Sequence, residues 1–490
     1  MAEIKDAYVQ EQRRYTKSEL RDKFSFNESE VERFIKTLKA YGVLKAVKYD
    51  SKQQDMTDLL DEDIEIIDET AGNRDCFYVF TYVGVITIGD RVIKAYPKYI
   101  FSKEEPFEEI KQVIKVLKKY SNSQEQIVNL YNGSDENRSF NMLAVILFLL
   151  NDYHEYGVYN NSEDITEING EGDILWGRTI DEGFAYIENN TPYYTELYTH
   201  RSVDDEMDYF KRLHECILTE CSQQLRDSQL EDIFQIVTVE LSDERLADFG
   251  DTEYIKDRIL SELNIQFNTR KQILLKTLYA YVSQDKKMLD DEAGISMFGT
   301  TAFNMVWENA CAEVFDNKLD KKIGQLNLPT DLHVDYYDFE KKTLIEIIKP
   351  PVWSRGDDVK EEASETLRPD LISITKMKGE NYFIIFDAKY YNLTLEKGKL
   401  SGNPGVGDVD KQYLYQLAYK DFILAHGFKE VRNCFLMPTE KDEVINAGTA
   451  SMPILSALGL VDIAIRKIPA RMLFEFYLSQ KKFDFELLEL

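Results

Sequence analysis

The chain has 490 residues, 43% of them hydrophobic and 12% aromatic, with 88 acidic against 59 basic side chains and a formal net charge of -29. That length allows about two to four domains with ample core, and the apolar content excludes a disordered chain. The charge excludes a protein that grips nucleic acid through a uniformly basic surface, because an acidic chain repels phosphate at long range. The stretch from Lys341 to Arg432 is more balanced, so the acidity favours a subunit that shares the task over a lone binder.

In chain order, residues 1–50 read as a small helical module. Thr16-Lys17-Ser18-Glu19 and Asn27-Glu28-Ser29-Glu30 each set an N-cap residue three positions before a Glu, so two helices begin close together. The second, Ser29 to Tyr41, aligns Val31, Phe34, Ile35 and Leu38 on one stripe, and Gly42 stops it before the strand-like Val43 to Val47. Helix, turn, helix, strand resembles a winged helix, whose second helix enters the major groove. Arg33, Lys36 and Lys39 on its polar side are then candidate DNA-binding residues. Glu28, Glu30 and Glu32 would oppose phosphates, so a protein-docking module or plain three-helix packing stays open.

The acidic stretch Asp50 to Glu69 reads as a mobile linker or exposed insertion and marks a boundary. Residues 70–290 form a β-rich and helical unit in this reading. Phe77 to Ile100 contains two strand runs split by Gly89-Asp90-Arg91, and Phe107 to Tyr120 returns to helical spacing. An apolar helix runs to about Leu150, followed by polar hairpin-like sequence through Gly170, Gly172, Gly177 and Gly183, then helices near Glu206–Gln224 and Lys271–Val282. No G-x-x-x-x-G-K-[ST] occurs, so the chain is not expected to bind GTP itself. The five cysteines lack Cys-x-x-Cys spacing and are odd in number, which fits a reducing cytoplasm better than a disulfide framework or zinc ribbon. Met1 to Asp6 carries no apolar signal core and Met142 to Leu150 is too short for a bilayer span, so a soluble protein without a membrane role is expected. The histidines are given no role.

The chemistry gathers in residues 295–490. Leu367-Arg368-Pro369-Asp370-Leu371-Ile372-Ser373-Ile374 and Tyr382 to Tyr390 have strand composition, and Lys378-Gly379-Glu380 supplies a turn, so an antiparallel hairpin is expected. Alternation puts Asp387 and Lys389 on one face with Ala388 pointing away, and pairing can bring Asp370 beside Asp387. Two carboxylates so placed repel unless a cation lies between them, and a hard divalent ion such as Mg2+ fits beside phosphate. Lys389 would orient a water or steady transition-state charge. The bland reading is an ordinary hairpin with charged ends. Upstream, Phe303 to Phe315 has Phe303, Val306, Trp307, Ala310 and Val314 at helical spacing, with Glu308 on one flank and Glu313 on the other. Downstream, a helix starts at Asp410, Asn433 to Pro438 reads as the closing strand of the sheet, and Pro469 to Leu478 as a helix or strand.

Asp370, Asp387 and Lys389 occupy the signature positions of the PD-(D/E)xK nuclease superfamily, which the segment resembles. That resemblance implies Glu308 as the helper carboxylate, a metal site on Asp370, Asp387, Ala388 and Glu308, and Mg2+ as cofactor, with Mn2+ as substitute. The helix from Asp410 is similar to the Gln-plus-Tyr segment of McrC and RecB-like branches, which carries Gln412 over as a catalytic candidate. Beyond the core, Tyr82 to Asp90 with Val92 to Tyr99, Tyr209 to Cys216 and Phe267 to Gln272 resemble the LlaJI family of restriction endonucleases. The resemblance implies an McrC-like subunit of a bacterial restriction-modification or antiviral system. Such a subunit acts on duplex DNA with an McrB-like AAA+ GTPase in a larger complex, and Pro97 and Lys98 mark the partner-binding region.

The expected fold is α+β and multidomain, with winged-helix-like and β-rich N-terminal regions, a helical middle and a C-terminal nuclease α/β core with a mixed sheet. Two other readings stay open: a RecB-like DNA repair nuclease, and a non-enzymatic adaptor that activates a partner NTPase.

Overall fold

Both N-terminal capping boxes form. Thr16 and Asn27 accept from the backbone of Glu19 and Glu30, whose carboxylates return the bond, and they start the helices Lys17–Lys23 and Glu28–Ala40. Val31, Phe34, Ile35 and Leu38 are buried along one side of the second helix, and Gly42 at φ +69° turns the chain into the strand Leu44–Lys48. The computed structural model describes residues 5–48, 76–123, 131–132, 139–204, 208–284, 295–355 and 359–490. The acidic stretch Asp50 to Glu69 lies outside the described residues.

The fold is α+β with several sheets. A three-stranded sheet runs in the order Arg14–Tyr15, Cys76–Phe80, Leu44–Lys48 against the two N-terminal helices. A four-stranded sheet takes Lys5–Gln10, Arg91–Tyr96, Val83–Ile88 and Ile295–Thr300 in that order, drawing strands from all three sequence units. Its first pair is parallel and the other two antiparallel. The last strand leads directly into the helix Phe303–Val314. The middle of the chain is helical, with Phe107–Ser123, Met142–Tyr156, Tyr209–Asp227, Thr252–Ile265 and Thr269–Val282 sharing one apolar core. Among the described residues no helix is long and apolar enough to cross a membrane.

The C-terminal sheet has five strands in the order Leu371–Met377, Glu380–Ala388, Glu430–Thr439, Ile463–Pro469, Ile445–Ala450. It is mixed: the first pair is antiparallel, the next two are parallel and the edge is antiparallel. The strand expected to close the sheet is thus its central member. Cys434 to Met437 are all buried, as a strand covered on both faces requires. Ile384, Phe386 and Ala388 face the core shared with Trp307, Ala310 and Phe474. Phe383 and Ile385 face Tyr415, Tyr419 and Phe422 of the helix Val406–Ala425. The chain from Ala470 to Ser479 is a helix.

Candidate active site

The hairpin register brings the two aspartates together. Met377 pairs with Glu380 across a two-residue turn in which Lys378 (φ +47°) and Gly379 (φ +87°) are both left-handed, the geometry that matches strand twist. The ladder ends at Leu371 opposite Phe386, so one further step sets Asp370 opposite Asp387. On the other side Asp387 lies level with Phe435 in the parallel pair, and Lys389 N donates to Leu436 O at 2.9 Å, carrying the pairing past the end of the strand. Trp307 Nε1 donates to the same carbonyl at 3.2 Å, which fixes the helix bearing Glu308 against this strand end.

Asp387 is 4% exposed. Asp370 Oδ2 accepts from Ala388 N at 2.8 Å. Burial, then the charge of Asp370, pushes Asp387 well above the usual carboxylate range; burial, then the charge of Glu308, raises Asp370. Burial pulls the Lys389 ammonium down, but the charges of Asp387 and Asp408 outweigh it and hold the group above its ordinary value. Lys389 Nζ is 2.7 Å from Asp408 Oδ1 and 3.1 Å from Asp387 Oδ1.

Hard-cation chemistry fits these donors. Asp387 Oδ1 is buried without a hydrogen-bond partner; its contact with Lys389 is an ion pair lacking hydrogen-bond geometry. Ala388 has its N–H committed to Asp370, so its carbonyl oxygen is the one donor atom it can offer. Among the described residues no group of three or more His, Cys, Asp or Glu is spaced to hold a metal, so Glu308 does not stand with both aspartates as a ready third ligand. Two carboxylates, a carbonyl and water suit Mg2+, which keeps much of its hydration, and do not suit zinc.

Glu308 is half-buried; burial first and the Asp387 charge second raise its carboxyl, which sets it in the electrostatic reach of the site. Glu313 instead pairs with Lys119 at 2.5 Å. Gln412 is fully buried and its amide donates to Ile385 O at 3.0 Å, so it pins the helix Val406–Ala425 to the strand, while its oxygen is buried without a partner. Arg33 and Lys36 are exposed on the second N-terminal helix, and Lys39 is half-buried.

Pro97 and Lys98 require a correction, because both are buried. Lys98 Nζ donates to Gln12 Oε1 at 3.0 Å and stands 4.5 Å from the Tyr390 ring centre, and Lys98 N donates to Glu11 Oε2. The turn after the strand Arg91–Tyr96 folds inward against the strand end that carries Lys389, so these two residues offer a partner no surface.

Two residues were not read from sequence. Asp408 meets Lys389, and the only signal for it was an acidic residue three positions after Gly405 at a helix start. Asn317 accepts from Ile372 N at 3.0 Å and Leu319 N at 2.9 Å, which pins the chain just after Asp370. No sequence pattern marks it.

One curated relative, described as "Type II restriction enzyme BsuMI component YdjA" from Bacillus subtilis (strain 168), is 28% identical over 417 residues, 83% of this chain and 82% of that protein. Among solved structures, similarity extends to a chain of a half-complex from a tetradecameric assembly of Thermococcus gammatolerans McrB AAA+ hexamers with bound McrC. There the TM-score is 0.36 at 13% identity, covering 97% of this chain and 99% of that one. A second is the cryo-EM structure of the Thermococcus gammatolerans McrBC complex, with TM-score 0.24 at 14% identity over 62% and 84%. The family model for LlaJI restriction endonuclease matches residues 82–475, and the chain belongs to that family.

Proposed function

We propose that this chain is the DNA-cleaving subunit of a restriction system. It hydrolyses phosphodiester bonds of foreign duplex DNA with Mg2+, under the control of an McrB-like AAA+ GTPase, in the bacterial cytoplasm. The observation that carries the reading is the convergence of Asp370, Asp387 and Lys389 at one end of a buried hairpin, in a chain of a restriction endonuclease family. Family membership favours restriction over a RecB-like repair nuclease, and a bare adaptor has no use for a buried pair of carboxylates beside an ammonium.

Asp370, Asp387 and the Ala388 carbonyl would hold the ion; when bound, Mg2+ supplies an acidified water and neutralises charge on the phosphodiester. Lys389 sets an ammonium beside the scissile phosphate, and Glu308 adds a carboxyl whose raised proton affinity suits proton transfer. The five-stranded sheet is read as a PD-(D/E)xK core. Support comes from the antiparallel hairpin bearing both aspartates and from the helix Val406–Ala425 crossing over to a parallel strand. The N-terminal module is read as winged-helix-like, supported by two helices inserted between the first and last-paired strands of its three-stranded sheet. A partner is supported by the description of the curated relative as a component and by the charge of -29. Exposed Trp176, Phe184 and Ile187 in residues 70–290 are side chains of the kind a protein partner covers.

Thermal unfolding tests the metal site without turnover. Mg2+ or Mn2+ should raise the melting temperature of the wild-type chain and leave that of Asp387→Asn unmoved. Ca2+ should also stabilise the wild type without supporting cleavage. Equal shifts in both proteins would remove the ion from this site.

A further inference from the structure

We propose that Asp408 is the positioning residue for Lys389 in DNA cleavage, holding its ammonium at the carboxylate end of the hairpin and away from full engagement with Asp387. The inference rests on the reading of Asp370, Asp387 and Lys389 as the nuclease site.

Lys389 has a flexible four-carbon stem and a point charge, so its position must be imposed from outside. The nearest carboxylate on its own strand is Asp387, buried and electrostatically costly, and an unrestrained ammonium would close onto it. That would neutralise the oxygen the site needs free. Both acids pair with the ammonium, and the shorter, hydrogen-bonded contact is to Asp408. Lys389 Nζ donates to Asp408 Oδ1 at 2.7 Å, whereas Asp387 Oδ1 at 3.1 Å is left without a hydrogen bond.

Asp408 is itself immobilised. It lies in the first turn of the 20-residue helix Val406–Ala425, and its Oδ2 accepts from Gly405 N at 3.2 Å, so one carboxylate caps the helix and holds the lysine at once. The helix is fixed to the catalytic strand by the bond from Gln412 to Ile385 and by Tyr415 Oη donating to Arg368 O at 2.9 Å, two residues before Asp370. Side-chain exposures of 17% for Lys389 and 22% for Asp408 leave the pair accessible to substrate yet partly shielded from screening. A charged group seated this way by a rigid element is pre-organised for the reaction rather than recruited during it.

The competing account makes Asp408 a helix cap and nothing more. Asp408→Asn separates the two, since the carboxamide oxygen can still accept from Gly405 N while the charge facing Lys389 is lost. In the full chain with its NTPase partner, on plasmid DNA with Mg2+, kcat should fall by about 100-fold. KM and gel-shift affinity for DNA should stay within about twofold and the melting temperature within about 2 °C, because the cap and the core are kept. Asp408→Glu, which restores the charge on a longer stem, should recover part of kcat. With Lys389→Gln, where no ammonium needs holding, adding Asp408→Asn should cost no further activity. Wild-type kcat in Asp408→Asn alongside an inactive Asp387→Asn would overturn the proposal and leave the nuclease site standing. Undiminished cleavage by Asp387→Asn would instead sink the site reading itself. Failure of Asp408→Glu to recover any rate, with both variants melting far below the wild type, would make Asp408 a structural cap and also overturn it.

Discussion

Asp387 and Glu308 are carboxyls whose proton affinity is raised by burial first and by a neighbouring charge second, that of Asp370 for Asp387 and that of Asp387 for Glu308, and such groups are matched to proton and metal chemistry. Glu308→Gln should therefore lower the cleavage rate by about 100-fold with DNA affinity unchanged. Glu313→Gln, which removes an ion-pair partner of Lys119 and leaves its bond to Tyr477 O, should leave the rate intact; a reversed outcome in paired rate assays would exchange their roles. A second residue-scale expectation concerns His214. Burial, then the charge of Arg270, pulls it from 6.5 to about 3, while its Nδ1 accepts from Tyr159 N at 2.8 Å. The unfolded chain takes up this proton below about pH 6.5 and the folded chain does not, so stability falls with falling pH in that window. The limiting slope is about 1.4 kcal/mol per pH unit. The raised carboxyls Asp370, Asp387 and Glu308 act with the opposite sign, so the difference reports His214: as pH drops from about 6.5 to 5, the urea midpoint of the wild type should fall relative to that of His214→Asn. The trio Asp370, Asp387 and Lys389 was legible because strand alternation and one hairpin register determine who faces whom. Asp408 was not, since its contact comes from 19 residues downstream across an intervening hairpin and no period links the two.

Elements carry a different kind of constraint. Gly84 (φ +144°) pairs with Gly299 where the strands Val83–Ile88 and Ile295–Thr300 meet, and a Cβ on Gly84 would stand 2.2 Å from Phe298 O. Gly84→Ala forces backbone apart at the strand that leads into the Glu308 helix. It should cost about 1–3 kcal/mol in denaturant unfolding and lower cleavage; an unchanged midpoint would mean the sheet relaxes freely. The helices were legible in sequence through capping boxes and apolar stripes, signals contained within each element. Strand order was not, because it depends on distant partners: Lys5–Gln10 pairs with Arg91–Tyr96, some 86 positions along the chain at each rung. The strand Glu430–Thr439 did carry a usable signal. Its unbroken apolar run from Cys434 to Met437 is that of an interior strand and not of a closing one.

At the scale of the molecule, the N-terminal module and the candidate active site are joined. Glu11, at the end of the strand Lys5–Gln10, is buried; it accepts from Tyr390 Oη at 2.6 Å, and Tyr390 directly follows Lys389. Removing residues 1–50 would extract a sheet strand and this bond, so charge reversal at exposed Arg33 and Lys36 is the cleaner probe of DNA recognition. Reversal should abolish sequence preference in cleavage while the partner still delivers DNA for cutting. Loss of GTPase association in a pull-down, with site preference kept, would make the module a docking unit. With 88 acidic against 59 basic residues, the isolated chain should bind DNA weakly, with the little binding it has lost steeply as salt rises. Strong site-specific binding by the chain alone across a salt series would contradict dependence on a partner.

The most direct test of the account is cleavage of plasmid DNA by the chain with the proposed NTPase partner, comparing the wild type with Asp387→Ala, each in Mg2+ and in EDTA. The account predicts cutting by the wild type in Mg2+ alone and none by the variant in either condition. Cutting by Asp387→Ala, or by the wild type in EDTA, would contradict it.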